Sequence, residues 1–261
     1  MITRSPLRVG SLAPRQRGEG WGEGPVTARE HRVALVTGAG VRVGEAIARD
    51  LARHGWRVAA HYRSHRPRPP LVALQGDLAL PGGADALARA FRARFDRLDL
   101  LVCSAAGFEA RPLAETDAEA FDAQMDLNAR APLLLARALA PLLRRSEGSI
   151  VNVADVGGGL VPWKGFAAYA ASKAALVRLT ECLALELAPK VRVNVIAPGT
   201  VLWPASYPAR VRKELTGRIP LRRAGDPVDV AGAVRYLADA AFVTGAVLPV
   251  DGGRHLAGRA G

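Results

Sequence analysis

The chain has 261 residues, 49% hydrophobic and 23% charged, with 36 Lys and Arg against 24 Asp and Glu for a formal charge of +12. This is ordinary globular composition, enough for one α/β domain or two smaller ones with a sizeable core, and it excludes a fibrous or wholly disordered chain. The basic excess is mostly arginine spread along the sequence with no run of five basic residues, which argues against a nucleic-acid stripe and reads as compositional bias, with an anionic cofactor as a partial reason for local positive charge.

Residues 1–30 are rich in Gly, Pro and Arg, show no apolar period and read as a disordered extension before a folded domain at 31–261. They lack the apolar core of a secretory signal, and Pro6, Gly10 and Pro14 oppose the amphipathic helix of a transit peptide. From Arg32 onward apolar strands alternate with amphipathic helices. RVALVT (32–37) predicts the first strand, a glycine turn follows, and VGEAIARDLARHG (43–55) predicts a helix. WRVAAHY (56–62) and LVAL (71–74) predict the next two strands. The RSHRPRPP between them (63–70) is too short and proline-rich for a crossover helix, so an extended loop is expected.

A helix is expected near 83–95, a strand at DLLVCSA (99–105), and a long helix over 117–143 with a kink at Pro132. SIVNVAD (149–155), VRVNVIAP (191–198) and GAVLPVDGG (245–253) complete seven strands, with helices at 167–188 and 227–238. Apolar strands alternating with helices imply a single Rossmann-type α/β domain: a doubly wound parallel sheet, helices on both faces, and ligands at the carboxyl ends of the strands. Cys103 and Cys182 suggest neither a disulfide framework nor a metal site. Such cysteine usage fits a reducing cytoplasm, and no 18-residue apolar stretch predicts a spanning helix, so a cytoplasmic protein without membrane partners is the expectation.

The turn Thr37-Gly38-Ala39-Gly40-Val41-Arg42-Val43-Gly44 sits between the first strand and the first helix. There, glycines let a helix N-terminus approach a pyrophosphate, whose charge its free N–H groups stabilise. After the second strand, His61-Tyr62-Arg63-Ser64 offers no acid for a ribose 2′-hydroxyl but several groups able to meet a 2′-phosphate. That favours NADP(H). Tyr169 and Lys173 stand four apart at the start of a long helix and share a face. A phenol needs a nearby positive charge to exchange protons readily at neutral pH, which Lys173 supplies.

Taken in order, the glycine turn, Asp77, Asn128, Tyr169 with Lys173, Pro198-Gly199 and Asp251-Gly252-Gly253 resemble the short-chain dehydrogenase/reductase family over residues 32–255. The resemblance implies that Asp77, with Leu78, meets the adenine. It also implies that Asn128 supports a proton relay to Lys173, and that Pro198, Gly199 and Thr200 lie beside the nicotinamide. Ser104, Ala105 and Ala106 complete the expected cofactor site, and Cys103-Ser104 stand where relatives carry asparagines that brace the sheet.

Arg42 in the turn, Asp155 near the usual catalytic serine, and the loop Gly199 to Pro204 are similar to the pteridine-reductase branch. Asp155 precedes Tyr169 by 14 residues where 13 is usual, the usual place being held by Val156; Gly157-Gly158-Gly159 can absorb the difference. Asp155 reads as catalytic, with a structural cap as the alternative. Phe108, Arg42 and Trp203 then read as contacts to a pterin; the alternatives are a loop aromatic at Phe108 and a phosphate clamp at Arg42. The expected activity is hydride transfer to a C=N or C=O bond. Rival readings are reduction of a 3-oxoacyl thioester, sugar or alcohol-type carbonyl, or a non-catalytic NADP-binding protein. No G-x-S-x-G elbow supports a hydrolase. Relatives are commonly homotetramers, which the resemblance extends to this chain.

Overall fold

The computed structural model describes residues 31–203 and 207–257; the extension expected at 1–30 and Pro204 of the substrate loop lie outside the described residues. Seven strands, β1 (Val33–Val36), β2 (Arg57–Tyr62), β3 (Val72–Gln75), β4 (Leu100–Cys103), β5 (Ser149–Val153), β6 (Arg192–Pro198) and β7 (Val247–Val250), form one sheet. All pairings are parallel and the order is β3-β2-β1-β4-β5-β6-β7. Each strand overlaps its predicted run, and residues 63–70 contain no helix.

Alternation along the strands divides the core in two. Leu35, Leu101 and Ile150 face α2 (Gly83–Arg92), α4 (Ala131–Ser146) and α6 (Ala167–Leu187), where Leu87, Phe91, Leu139 and Leu183 meet them. Val36, Val102 and Val151 face the other way, onto Ile47 and Leu51 of α1 (Arg42–Arg53) and Val230 and Val234 of α8 (Pro227–Asp239). Full burial of each such large side chain contributes about 1.5–3 kcal/mol, so both faces of the sheet must be covered. The strand order reverses at β1, which lies between β2 and β4. The crevice beyond the carboxyl ends of these strands is where a doubly wound sheet binds ligands.

The long helix expected over 117–143 is broken into α3 (Ala118–Met125), a wide π turn at Asp126–Arg130, and α4. Pro132, near the start of α4, has no N–H to give the Asn128 carbonyl four residues earlier. The helix widens just before it, placing Asn128 within the irregular turn. Short segments complete the chain: α5 (Val156–Gly159), α7 (Ala209–Gly217) and α9 (Arg254–Ala257).

Candidate active site

Gly38 takes a left-handed φ of 66°, and a Cβ there would lie 2.8 Å from the Ala105 backbone; one on Gly44 would lie 2.2 Å from the Gly38 carbonyl oxygen. The turn is therefore pressed between β4 and α1 with no room for side chains. Thr37 ties the two central strands: its hydroxyl accepts from the Ser104 and Ala105 amides, both at 3.0 Å. This is the bracing that the missing asparagines left open. At the entry to α1, Val41 gives no side-chain cap, so no hydroxyl or carboxylate competes for the first-turn amides of Arg42, Val43 and Gly44. Arg42 is exposed and holds φ of 55°, a left-handed conformation in a non-glycine residue. Such a start suits an anion.

The second-strand residues separate into two groups. His61 is buried, its Nδ1 accepting from the Gly38 amide at 3.3 Å and its Nε2 donating to the Gly76 carbonyl at 3.2 Å. Burial lowers its pKa, so the ring is neutral and braces the turn; the expected phosphate contact from His61 is corrected. Tyr62 is buried as well. Arg63 and Ser64 are exposed beyond the strand end. Asp77 turns back to accept from the Ala79 amide at 3.0 Å, while the Leu78 side chain belongs to the core and leaves only its backbone for a ligand. Beyond β6, the Gly199 amide donates to Val250 and the Thr200 carbonyl accepts from Gly225, which fixes the Pro198–Thr200 turn.

Lys173 is buried and donates from Nζ to the Val153 carbonyl at 2.9 Å. Burial brings its pKa down to about 8, opposed by the charge of Asp155. The Tyr169 hydroxyl engages the Asp155 carboxylate, and burial first, then that carboxylate, push the phenol's pKa upward. Asp155 caps α5, accepting from the Gly157 amide at 2.6 Å. Burial raises its own pKa, opposed by the Gly157 amide, Lys173, Tyr169 and Arg254. The 14-residue interval is thus accommodated: Gly157 and Gly158 are non-helical, and Val156 is buried in place of a site residue. Asp155 is both a cap and a partner of Tyr169.

Asn128 joins the walls of this site. Its side chain accepts from the Gly107 amide at 2.9 Å, donates back to the Gly107 carbonyl at 3.1 Å, and donates to Ser172 at 2.9 Å. It therefore ties the loop bearing Phe108 to the helix bearing Tyr169 and Lys173. Phe108 sets its ring edge-on to Tyr169, with centroids 5.0 Å apart, and stacks on Phe166 at 5.1 Å. Trp163 completes the group, 6.5 Å from Phe108. The expected outer ring, Trp203, is not brought there; among the described residues its ring neighbour is Tyr207, at 6.3 Å. Trp163 and Phe166 escaped the sequence reading, although Phe166 stands three residues before Tyr169 and caps the start of α6.

Cys103, at the end of β4, is buried and its thiol is pushed up to about 12 by that burial, with Lys173 pulling the other way. Among the described residues no group of three or more His, Cys, Asp or Glu is placed to hold a metal, and no helix is long and apolar enough to cross a membrane.

A buried Tyr–Lys pair beside the reversal of a doubly wound sheet defines an α/β oxidoreductase. Comparison with known proteins agrees. The family model described as enoyl-(acyl carrier protein) reductase matches residues 38–255. An uncharacterized oxidoreductase of Mycobacterium tuberculosis is 36% identical over 245 residues, covering 86% of this chain and 92% of that protein. A 3-oxoacyl-[acyl-carrier-protein] reductase of Synechocystis is 34% identical over 245 residues, covering 87% and 98%. A blue fluorescent protein from a metagenomic library, solved in complex with NADPH, superposes with a TM-score of 0.77 at 32% identity, covering 85% of this chain and 97% of that one. The chain belongs to the short-chain dehydrogenase/reductase family.

Proposed function

We propose that residues 31–261 form one NADPH-dependent reductase domain acting on a polarised C=N or C=O bond of a flat, conjugated substrate of the pterin type. The observation that carries this reading is the buried Tyr169 hydroxyl held by Asp155 with Lys173 behind it, faced by the Phe108 ring.

The residues present fit the dinucleotide. Amides of Arg42, Val43 and Gly44 at the uncapped start of α1 suit its pyrophosphate, and exposed Arg63 and Ser64 suit a 2′-phosphate. Asp77 and the Leu78 backbone would hold the adenine, the backbone of Ser104, Ala105 and Ala106 the ribose side, and Pro198, Gly199 and Thr200 the nicotinamide. The structural neighbour solved with NADPH supports the same choice. When bound, the dinucleotide supplies the hydride.

The chain's own residues handle the proton. When ionised, Asp155 accepts from the Tyr169 hydroxyl and raises the phenol's pKa, so Tyr169 keeps its proton until the substrate heteroatom becomes a stronger base than the carboxylate. The phenol then protonates that heteroatom, and the Lys173 ammonium stabilises the phenolate left behind. Because Lys173 titrates at about 8, reduction should fall as pH rises through that value and the ammonium is lost. In Lys173→Arg, which keeps its charge, this alkaline limb should vanish from the rate profile even if turnover is lower; an unmoved limb assigns it elsewhere.

Phe108 offers an exposed ring beside the donor, and offset aromatic pairing holds a flat heterocycle well. Dihydrobiopterin or dihydrofolate should be reduced with NADPH, and Phe108→Ala should raise the pterin KM about tenfold, the scale of one aromatic contact, with the NADPH KM unchanged. A second reading, reduction of a 3-oxoacyl thioester, is favoured by the similarity to the Synechocystis reductase. Robust thioester reduction without pterin turnover would select it. In either case the proposal extends to a cytoplasmic homo-oligomer, a tetramer by family habit, using a small-molecule substrate and no nucleic acid or membrane partner.

A further inference from the structure

We infer that Trp163 is a positioning residue for the proton donor: its ring, seated on Gly157, holds the Gly157 amide against Asp155 and so fixes the carboxylate that engages Tyr169. The inference rests on the reading of Asp155 and Tyr169 as the proton-donating pair.

Contact between ring and glycine is intimate. A Cβ on Gly157 would lie 1.8 Å from a Trp163 ring carbon and within 2.2 Å of two more. The backbone does not itself demand glycine here, since Gly157 has φ of −85° and ψ of 66°, on the side of φ open to L residues. The glycine answers to the ring. The ladder that spans the segment, from the Gly159 amide to the Asp155 carbonyl at 2.9 Å and from the Leu160 amide to the Val156 carbonyl at 3.2 Å, passes over Gly157, and Gly157 and Gly158 both leave helical geometry. α6 packs against Gly158, while the Trp163 ring packs against Gly157 itself, and Gly157 meets Asp155 through the 2.6 Å bond from its amide to the carboxylate.

Trp163 is itself placed by two rings. Phe166 lies edge-on at 5.7 Å and Phe108 edge-on at 6.5 Å, and the Phe166 amide donates to the Trp163 carbonyl at 3.3 Å. Phe108 in turn abuts Tyr169. The aromatic wall and the Asp155 cap are therefore two ends of one packed unit, and the wall that faces a substrate also supports the acid.

Asp155 faces four groups: the Gly157 amide on its own segment, Tyr169 and Lys173 from α6, and Arg254 from α9. Trp163 lies directly against Gly157, and reaches Tyr169 only through Phe108 and Phe166. Loss of the ring should remove that amide's help to the ionised carboxylate and leave the other three in place. Asp155 then protonates at higher pH, and since the protonated carboxyl no longer holds the Tyr169 hydroxyl as acceptor, the rate should fall with it and this acid limb should move upward.

The test uses the full-length enzyme with NADPH and dihydrobiopterin, or a 3-oxoacyl thioester if the pterin is not turned over. Rate profiles against pH are compared for Trp163→Ala, Trp163→Phe, Gly157→Ala and the Gly157→Ala/Trp163→Ala double variant. Trp163→Ala should lower kcat about tenfold and move the acid limb up about one pH unit, the worth of one hydrogen bond to a charged group, with the NADPH KM unchanged. Trp163→Phe should restore both. Gly157→Ala, whose new methyl displaces the ring, should reproduce the shift and add nothing in the Trp163→Ala background, the mark of two residues acting through one contact. If Trp163→Ala does not fold, the Gly157→Ala profile decides. An unmoved acid limb with only the substrate KM raised would make Trp163 a substrate contact and overturn the inference. Wild-type turnover in Tyr169→Phe would instead overturn the acid pair on which it rests.

Discussion

Removing one oxygen, in Tyr169→Phe, is expected to lower turnover by at least about a hundredfold, the scale of general acid–base assistance. The phenyl ring keeps its edge-on packing against Phe108, at 5.0 Å between centroids, and Phe166, at 6.1 Å. Lys173 keeps its bond to the Val153 carbonyl. The loss should therefore fall on kcat, with NADPH affinity and melting temperature close to wild type. Steady-state kinetics, NADPH fluorescence titration and a thermal melt on the same preparation check the three together. A variant that turned over normally would remove Tyr169 from the chemistry, whatever its burial.

The second large effect concerns the nucleotide. Arg63→Ala should weaken NADPH binding about thirtyfold, as expected for losing a charge-assisted contact of about 2 kcal/mol, while leaving NADH binding within twofold. The argument is local. His61 is committed to the Gly38 amide and the Gly76 carbonyl, so it cannot substitute, and Ser64 carries no charge. Arg63 stands exposed past the end of β2, its backbone carbonyl accepting from Gln75 at 3.3 Å and its side chain in no ion pair among the described residues. Dissociation constants for both nucleotides, measured at one ionic strength because such contacts are screened, decide it. Equal losses for NADPH and NADH would move the 2′-phosphate contact away from Arg63.

The sheet was legible because burial on both faces leaves continuous apolar runs, and VALV and LLVC carry that signal without help from the rest of the chain. The helix α7 was not. Its sequence, ARVRKELTG, is largely polar and none of its residues is buried, so no apolar stripe marks it. Pro132 marked a disturbance, but the break lies upstream because a missing N–H deprives a carbonyl four residues earlier.

In the site, Tyr169 and Lys173 were legible because helical spacing sets their relation locally. His61 was misread because charge type alone favoured phosphate, whereas the end of a buried strand turned the ring inward. Trp163 lies 55 residues from Phe108 on another loop, and contacts between loops have no periodicity to reveal them.

The reversal of strand order at β1 has a consequence for how such an enzyme can change. Residues proposed to select the nucleotide follow β2, on one side of the reversal, and those proposed to surround the reacting bond follow β4 and β5, on the other. Among the described residues no hydrogen bond, ion pair or ring contact joins Arg63 or Ser64 to Phe108, Asp155 or Tyr169. Energetic effects at sites without shared partners add, so a drift from NADPH to NADH at Arg63 need not disturb Phe108 or Asp155. Within the second group the reverse holds: Phe108, Trp163, Gly157, Asp155 and Tyr169 touch in series. Nucleotide preference is thus free to evolve one substitution at a time, whereas a new substrate requires compensating changes that arrive together.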